Sequence, residues 1–79
     1  MKFKDTLYGL DIGQNAIVER ITIEPHIKRR LMDLGMLKGT KVECVGISPL
    51  GDPKAFLIRG SVIALRREES SKINISVLE

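Results

Sequence analysis

Short aliphatic segments rich in β-branched residues recur along this chain, and glycine, proline or polar turn residues bound each of them. Such segments are typical of β-strands. So many strands in 79 residues leave too little chain for a sandwich of two sheets, and we expect a small, strongly bent β-barrel instead. The predicted strands are AIVERITI (16–23), KVECVGI (41–47), KAFLI (54–58), SVIALR (61–66) and INISVL (73–78).

The first predicted strand alternates imperfectly. Ile17, Ile21 and Ile23 share one face with Glu19, whereas Val18 lies on the other face. An inserted residue moves the side chains that follow it to the opposite face of a strand. The pattern therefore predicts a β-bulge, or a strongly coiled strand, within this segment.

A short helix is predicted directly after the first strand. Pro25 suits the first helical turn, and Ile27, Leu31 and Leu34 follow at spacings of four and three residues. Gly35 is the expected left-handed residue that ends the helix. A helix of two to three turns is marginal alone, so we expect its face of Ile27, Leu31 and Leu34 to pack on the sheet.

Glycines mark the predicted turns between the later strands. Gly39 belongs to a turn before the second strand, and Gly60 allows a tight hairpin because it adopts positive φ at no steric cost. The polar segment REESSK (67–72) has the length of about one helical turn. The resulting class is mainly β: an SH3-like barrel of about five strands, with one short α-helix after the first strand.

The loop SPLGDPK (48–54) carries the densest turn chemistry. Pro49 and Gly51 match the second and fourth positions of a type I turn, and Pro53 can begin a strand without a ladder donor. Asp52 is expected to accept local backbone hydrogen bonds. Leu50 near the tip either folds back onto the barrel or faces a partner.

Composition limits the class of protein. Ile, Leu and Val supply 24 residues, but only three residues are aromatic and one is cysteine. The length predicts a single domain over residues 1–79, and an unpaired cysteine without an N-terminal apolar stretch is typical of a cytoplasmic protein. No apolar run approaches the roughly 20 residues that span a bilayer, so direct membrane insertion is not expected.

Basic residues exceed acidic ones by three, and Lys28, Arg29 and Arg30 form the one cationic triplet. The triplet is interpreted either as a solvated helix face or as a docking patch for acidic groups. Nucleic-acid binding is not favoured, because bases stack on aromatic residues and Phe3, Tyr8 and Phe56 lie apart from the triplet.

The usual catalytic motifs are missing together. The sequence has no P-loop, no GxGxxG, no HExxH and no CxxC. Cys44 is expected to fill the core, since no second cysteine exists and His26 lies eighteen positions away. We therefore predict no enzyme activity, no catalytic residues, no cofactor and no metal site.

Three motifs in order resemble the FeoA family, small cytosolic accessory proteins of bacterial ferrous iron uptake. The segment RRLMDLGMLKG (29–39) is followed by SPLGDP and then by IALRREE, and the resemblance extends from about Leu7 to Val77. Ser70 departs from the pattern, because the family commonly has alanine there. The matching positions are Arg30, Leu31, Asp33, Leu34, Gly35 and Gly39; Pro49, Leu50, Gly51, Asp52 and Pro53; and Ile63, Ala64, Leu65 and Arg66.

The resemblance implies an SH3-like barrel without catalytic activity that works beside FeoB, the membrane transporter with a cytosolic GTPase domain. As partner contacts we expect Lys28 and Arg29 on the exposed helix face, Met36 at the helix exit, and Leu50 in the loop. Recruitment by such a partner would bring the protein to the inner face of the membrane, and a homo-oligomer is compatible with the sequence.

Two other functions are kept as alternatives. A related barrel forms the C-terminal part of iron-dependent repressors, so the chain could be a nucleic-acid-binding or iron-sensing domain. A repressor is disfavoured, because the few residues before the predicted barrel leave no space for a DNA-reading helix pair. A metal sensor or carrier would have to use His26, Cys44 and carboxylates, although non-haem iron usually takes two histidines and a carboxylate.

Overall fold

A computed structural model describes residues 5–78 of the chain. Phe3 and the two ends of the predicted 1–79 domain therefore lie outside the described residues. The elements are a 3₁₀ helix at Leu7–Gly9, β1 at Asn15–Ile21, α1 at Pro25–Asp33, β2 at Lys41–Ile47, β3 at Lys54–Ile58, β4 at Ser61–Leu65, α2 at Arg67–Ser70 and β5 at Ile73–Leu78.

The five strands form one antiparallel sheet in the order β4-β3-β2-β1-β5. The number and order of the predicted strands and the helix after the first strand are confirmed, although β1 ends at Ile21 rather than Ile23 and β4 at Leu65. The architecture is mainly β and SH3-like. β1 pairs with both β2 and β5, and its pairing with β5 shifts register between Val18 and Arg20. The predicted bulge is thus confirmed. A second register shift lies in β2 between Cys44 and Gly46, and such bulges bend a sheet.

The core lies on one face of this sheet and includes Leu31 of α1. Cys44 is buried, as predicted, and Ile73 and Ile75 point inward from β5. In β1 the fully buried residues are Ala16 and Val18, while Ile21 at the end of the strand and Ile23 beyond it are partly buried and pack against the core. The buried apolar residues are Leu7, Leu10, Ala16, Val18, Leu31, Met36, Val42, Cys44, Phe56, Ile58, Leu65, Ile73 and Ile75.

Helix α1 packs on the sheet through only part of its predicted apolar stripe. Leu31 is buried and Ile27 packs against the core, but Leu34 is 43% exposed. The prediction for Leu34 was wrong because the helix has ended at Asp33. The chain reverses immediately afterwards at Gly35, where φ is 105°, and Met36 fills the core in place of Leu34.

The N-terminal segment is attached by contacts that the sequence did not reveal. Leu7 and Leu10 enter the core on either side of the 3₁₀ helix. The Lys54 ammonium donates to the backbone carbonyls of Tyr8 and Leu10 and lies 5.1 Å from the centre of the Tyr8 ring. The guanidinium of Arg67 lies 5.6 Å from the same ring. Tyr8 is therefore held by two cations.

The polar turn before β5 is partly buried. α2 has the predicted length of about one turn, but Ser70 is buried rather than solvated. Its hydroxyl donates to the carbonyl of Arg66, 3.2 Å away, four residues earlier. A hydroxyl is tolerated in this buried position because its hydrogen bond is satisfied.

Candidate functional site

The cationic triplet lies on the solvent side of α1. Lys28, Arg29 and Arg30 are all exposed, as the helical spacing predicted. Of the two described aromatic residues, Phe56 is buried and Tyr8 contacts Lys54 and Arg67 instead. In the described part of the chain, no aromatic side chain therefore accompanies the triplet.

A groove of about 590 Å³ runs between α1, the end of β1 and the segment after the helix. We call it the α1 groove. Apolar and charged groups both line it. Its lining residues are Glu19, Arg20, Ile21, Thr22, Lys28, Met32, Met36, Leu37 and Lys38.

The apolar part of the α1 groove was missed by sequence reasoning. Met32 and Leu37 are 41% and 37% exposed, and Met32 also lines a neighbouring depression of about 420 Å³ with Arg29 and Lys28. The spacing could have revealed Met32, because residues four apart on a helix lie on the same face and Lys28 was already identified. Met32 and Lys28 thus line both depressions, and Leu37 adds a second exposed apolar side chain to the α1 groove.

The charge of the α1 groove is mainly positive. Arg20, Lys28 and Lys38 line it as exposed cations. The one acidic residue in the lining, Glu19, accepts a hydrogen bond of 2.7 Å from the Ser76 hydroxyl. An apolar strip with cationic neighbours is chemically suited to an acidic, partly apolar protein surface.

Met36 is not exposed, and its predicted role as a partner contact was wrong. Its side chain has 0% exposure. The backbone N–H of Met36 donates to the carbonyl of Leu31, and that of Gly35 donates to Met32, both at 2.9 Å. These two bonds define a Schellman turn, in which the residue after the glycine packs back against the last helical turn. Met36 therefore forms the buried floor of the α1 groove.

Leu50 points into solvent. The N–H of Gly51 donates to the carbonyl of Ser48 at 2.7 Å, which closes the predicted β-turn around Pro49 and Leu50. The Leu50 side chain is 94% exposed. Of the two orientations that the sequence left open, the structure shows the outward one.

Asp52 has a structural partner farther away than predicted. Its Oδ1 accepts a hydrogen bond of 2.8 Å from the backbone N–H of Arg67, the first residue of α2. A carboxylate at the N-terminal end of a helix accepts a hydrogen bond from a free N–H group and is attracted to the positive end of the helix dipole. The bond is with backbone, as expected, but it is not local. It ties the 48–54 loop to α2.

The structure does not bring the predicted metal-binding candidates together. Cys44 is buried and its thiol lies 3.7 Å from the carbonyl of Gly46. His26 is exposed at the start of α1, with Nε2 3.3 Å from a carboxylate oxygen of Glu24. Within residues 5–78, no three His, Cys, Asp or Glu side chains are grouped where they could hold a metal ion.

The fold and this surface define a class: a small SH3-like domain that presents a cationic, partly apolar groove. The sequence profile of the FeoA domain matches residues 6–77. The chain therefore belongs to the FeoA domain family. None of the helices in the described residues is long and apolar enough to cross a membrane.

Solved structures of the same family are closely similar. The FeoA protein of Chlorobium tepidum has 36% identity and a TM-score of 0.90, with 95% of this chain and 71% of that chain covered. The FeoA of Stenotrophomonas maltophilia has 30% identity and a TM-score of 0.79, covering 91% and 89%. That protein was solved with zinc and is described as a prokaryotic SH3 domain protein and a candidate activating factor of ferrous iron transport.

A longer relative joins this domain to a transporter. The Fe(2+) transport protein A/Fe(2+) transporter FeoB fusion protein of Porphyromonas gingivalis is 28% identical over 72 residues, which are 91% of this chain and 8% of the relative. The chain thus spans a small part of that protein. A manganese-dependent transcriptional repressor is 16% identical, with a TM-score of 0.85 over 99% of this chain and 38% of the repressor, and shares the fold alone.

Proposed function

We propose that this chain is a non-catalytic accessory domain of ferrous iron uptake that binds the cytosolic part of a FeoB-type transporter. The fusion of such a domain to FeoB in one relative is the observation that carries the proposal. A fused pair of domains is held at high effective concentration, so a separate copy of the domain has to find the transporter through a surface of its own.

The α1 groove is the best surface for this contact. Lys28 and Arg29 from the predicted contact set lie along it or beside it, together with Met32 and Leu37. Binding energy at interfaces concentrates in apolar residues that become fully buried, while rim charges mainly steer the encounter. We assign anchoring to Met32 and Leu37 and steering to the cations. Leu50 is a second, separate contact, since it lines neither depression.

Direct binding between this protein and the transporter's cytosolic domain tests the proposal. Calorimetry at two salt concentrations should show weaker binding at the higher one, because exposed charges are screened. Leu37→Asp should reduce affinity by about tenfold or more. Arg29→Glu should slow association mainly, and Leu50→Asp should reduce affinity if the loop touches the partner.

Arg66→Glu is the matched control, because Arg66 is an exposed cation that does not line the α1 groove. If Leu37→Asp, Arg29→Glu and Leu50→Asp all fold and bind as the parent protein does, the assigned surface is wrong. If the parent protein itself shows no binding and a deletion strain takes up ferrous iron normally, the proposed function is wrong.

Nucleic-acid binding remains the alternative supported by the exposed triplet. Phosphate contacts make such binding fall steeply with salt. Titration of labelled duplex and single-stranded oligonucleotides at two ionic strengths would reveal such binding. Loss of oligonucleotide binding in Arg29→Glu would favour this alternative over binding to the transporter.

A further inference from the structure

Strand β4 forms one end of the sheet and has an open edge. It pairs with β3 on one side, and within the described residues no strand lies on its other side. The opposite end of the sheet is covered: Thr6 bridges Asn74 of β5, and the N–H of Ile75 donates to the carbonyl of Asp5. The two edges of the sheet therefore differ: the N-terminal segment covers the β5 edge, whereas the β4 edge is unpaired within the described residues.

The hairpin turn fixes which backbone groups of β4 face outward. Arg59 and Gly60 have φ of 50° and 84°, which is typical of the two-residue turn that places Ile58 and Ser61 in a hydrogen-bonded pair. Such pairs alternate along an antiparallel ladder, and Val62 is opposite Leu57 while Ala64 is opposite Ala55. The N–H and C=O groups of Val62 and Ala64 consequently point away from β3.

The β4 edge lacks the features that usually block strand addition. Natural edges carry charges, prolines or bulges that prevent pairing. SVIAL contains no charge and no proline, and its register with β3 is regular over all five residues. On the outer face, Val62 is 62% exposed and Ala64 is exposed. An added strand would find an apolar surface as well as free backbone groups.

Charge selects the kind of strand that fits. From Pro53 to Arg67 the chain has four cations and no acidic residue. Antiparallel pairing of two copies centred on Ile63 would bring the turn residue Arg59 of one copy toward Arg67 at the start of α2 in the other, and facing like charges destabilise such a pair. A strand with acidic residues at its ends would meet the same arginines favourably.

We infer that β4 is a docking edge for an extended segment of a partner protein, with apolar residues at its centre and acidic residues at its ends. The segment adds a sixth strand through the outward N–H and C=O groups of Val62 and Ala64. This surface is separate from the α1 groove, and the inference does not depend on the proposed transporter.

Amide hydrogen exchange followed by NMR tests the inference. In the free protein, the amides of Val62 and Ala64 should exchange quickly and those of Ile63 and Leu65 slowly. Addition of the probe peptide Asp-Glu-Val-Thr-Val-Thr-Val-Asp-Glu should slow exchange at Val62 and Ala64 by about tenfold. The peptide with lysine in place of each acidic residue should bind about tenfold more weakly.

Four variants separate strand addition from non-specific peptide binding. Ala64→Pro removes an outward N–H and should abolish the protection, while Ala64→Thr keeps the N–H and should preserve it. Arg59→Glu reverses one of the charges that the peptide ends face and should weaken the acidic peptide relative to the lysine peptide, whereas Arg29→Glu should change the binding of neither.

Three results would overturn the inference. One is slow exchange at Val62 and Ala64 in the free protein, accompanied by dimers in sedimentation, which would assign the edge to a second copy. Another is slow exchange in a monomer, which would mean that the edge is already covered. The third is the absence of protection by either peptide at millimolar concentration.

Discussion

The helix exit (34–39) and the loop (48–54) each place an apolar residue next to a turn glycine, but the burial of the two side chains is opposite. Met36 follows Gly35 and is fully buried, whereas Leu50 precedes Gly51 and is almost fully exposed. In the first turn the bond from Met36 N–H to Leu31 returns the chain toward the helix. In the second, the bond from Gly51 to Ser48 closes the turn on itself and leaves its tip in solvent. The two turns differ in the residue that donates: Met36 itself is bonded to the helix, whereas Leu50 lies at the tip of a turn that the next residue closes.

The largest expected effect in this comparison belongs to Met36. Met36→Ala should lower the free energy of unfolding by about 2–5 kcal/mol, because it leaves a cavity beside Leu31. Urea denaturation measures this value. Met32→Ala on the exposed face is the control and should cost less than about 1 kcal/mol. Equal effects of the two substitutions would contradict the distinction between Met36, which is buried under the α1 groove, and Met32, which is exposed in it.

Gly35→Ala should cost about 1–3 kcal/mol of unfolding free energy. Gly35 has φ of 105°, and a Cβ there would lie 2.7 Å from Cδ of Arg59. Arg59→Ala removes that close contact but leaves the backbone strain. In a double-mutant cycle, Arg59→Ala should therefore recover only part of the loss, with a coupling of about 0.5 kcal/mol or more. Strictly additive effects would show that the close contact is relieved at no cost.

Asp52→Ala should cost about 1 kcal/mol, similar to the loss of a helix cap. The substitution leaves the N–H of Arg67 without its carboxylate acceptor. Asp52→Asn keeps an oxygen acceptor and should recover most of the stability, which thermal unfolding can compare. An effect of Asp52→Ala no larger than that of a surface substitution would mean that the loop is not fastened to α2 by this bond.

Leu50→Ala should change stability by less than about 0.5 kcal/mol, since an exposed side chain loses little on truncation. The same variant should weaken binding to the transporter's cytosolic domain if Leu50 is a contact. Leu7→Ala, in the core, provides the contrasting loss of stability. A large loss of stability in Leu50→Ala would contradict its exposed position.

Much of the fold follows from local patterns in the sequence. The strands, the single helix, the bulge in β1 and the tight turn at Gly60 were predicted correctly, because alternation, turn residues and glycine conformation act over a few residues. Met36 could also have been predicted. A glycine that ends a helix implies an apolar contact by the residue after it, and Met36 follows Gly35.

Other features depend on which segments meet in space. No local pattern showed that Lys54 binds the carbonyls of Tyr8 and Leu10, 46 and 44 positions away. The hydrogen bond between Asp52 and α2 spans 15 positions, whereas the sequence predicted that Asp52 would bond to backbone groups close to it in the chain. These contacts form only after the sheet brings separate segments together.

The sequence by itself determined an aliphatic β-rich domain, the positions of its turns, the exposed cations of α1 and membership of the FeoA domain family. Periodicity and turn preferences are properties of neighbouring residues, so they can be read without a fold. The tertiary structure decided that Leu50 is exposed, that Asp52 bonds to α2, and that no strand within residues 5–78 pairs with the outer edge of β4. Burial and pairing depend on packing between distant segments, and only the folded sheet specifies which edges and side chains remain exposed.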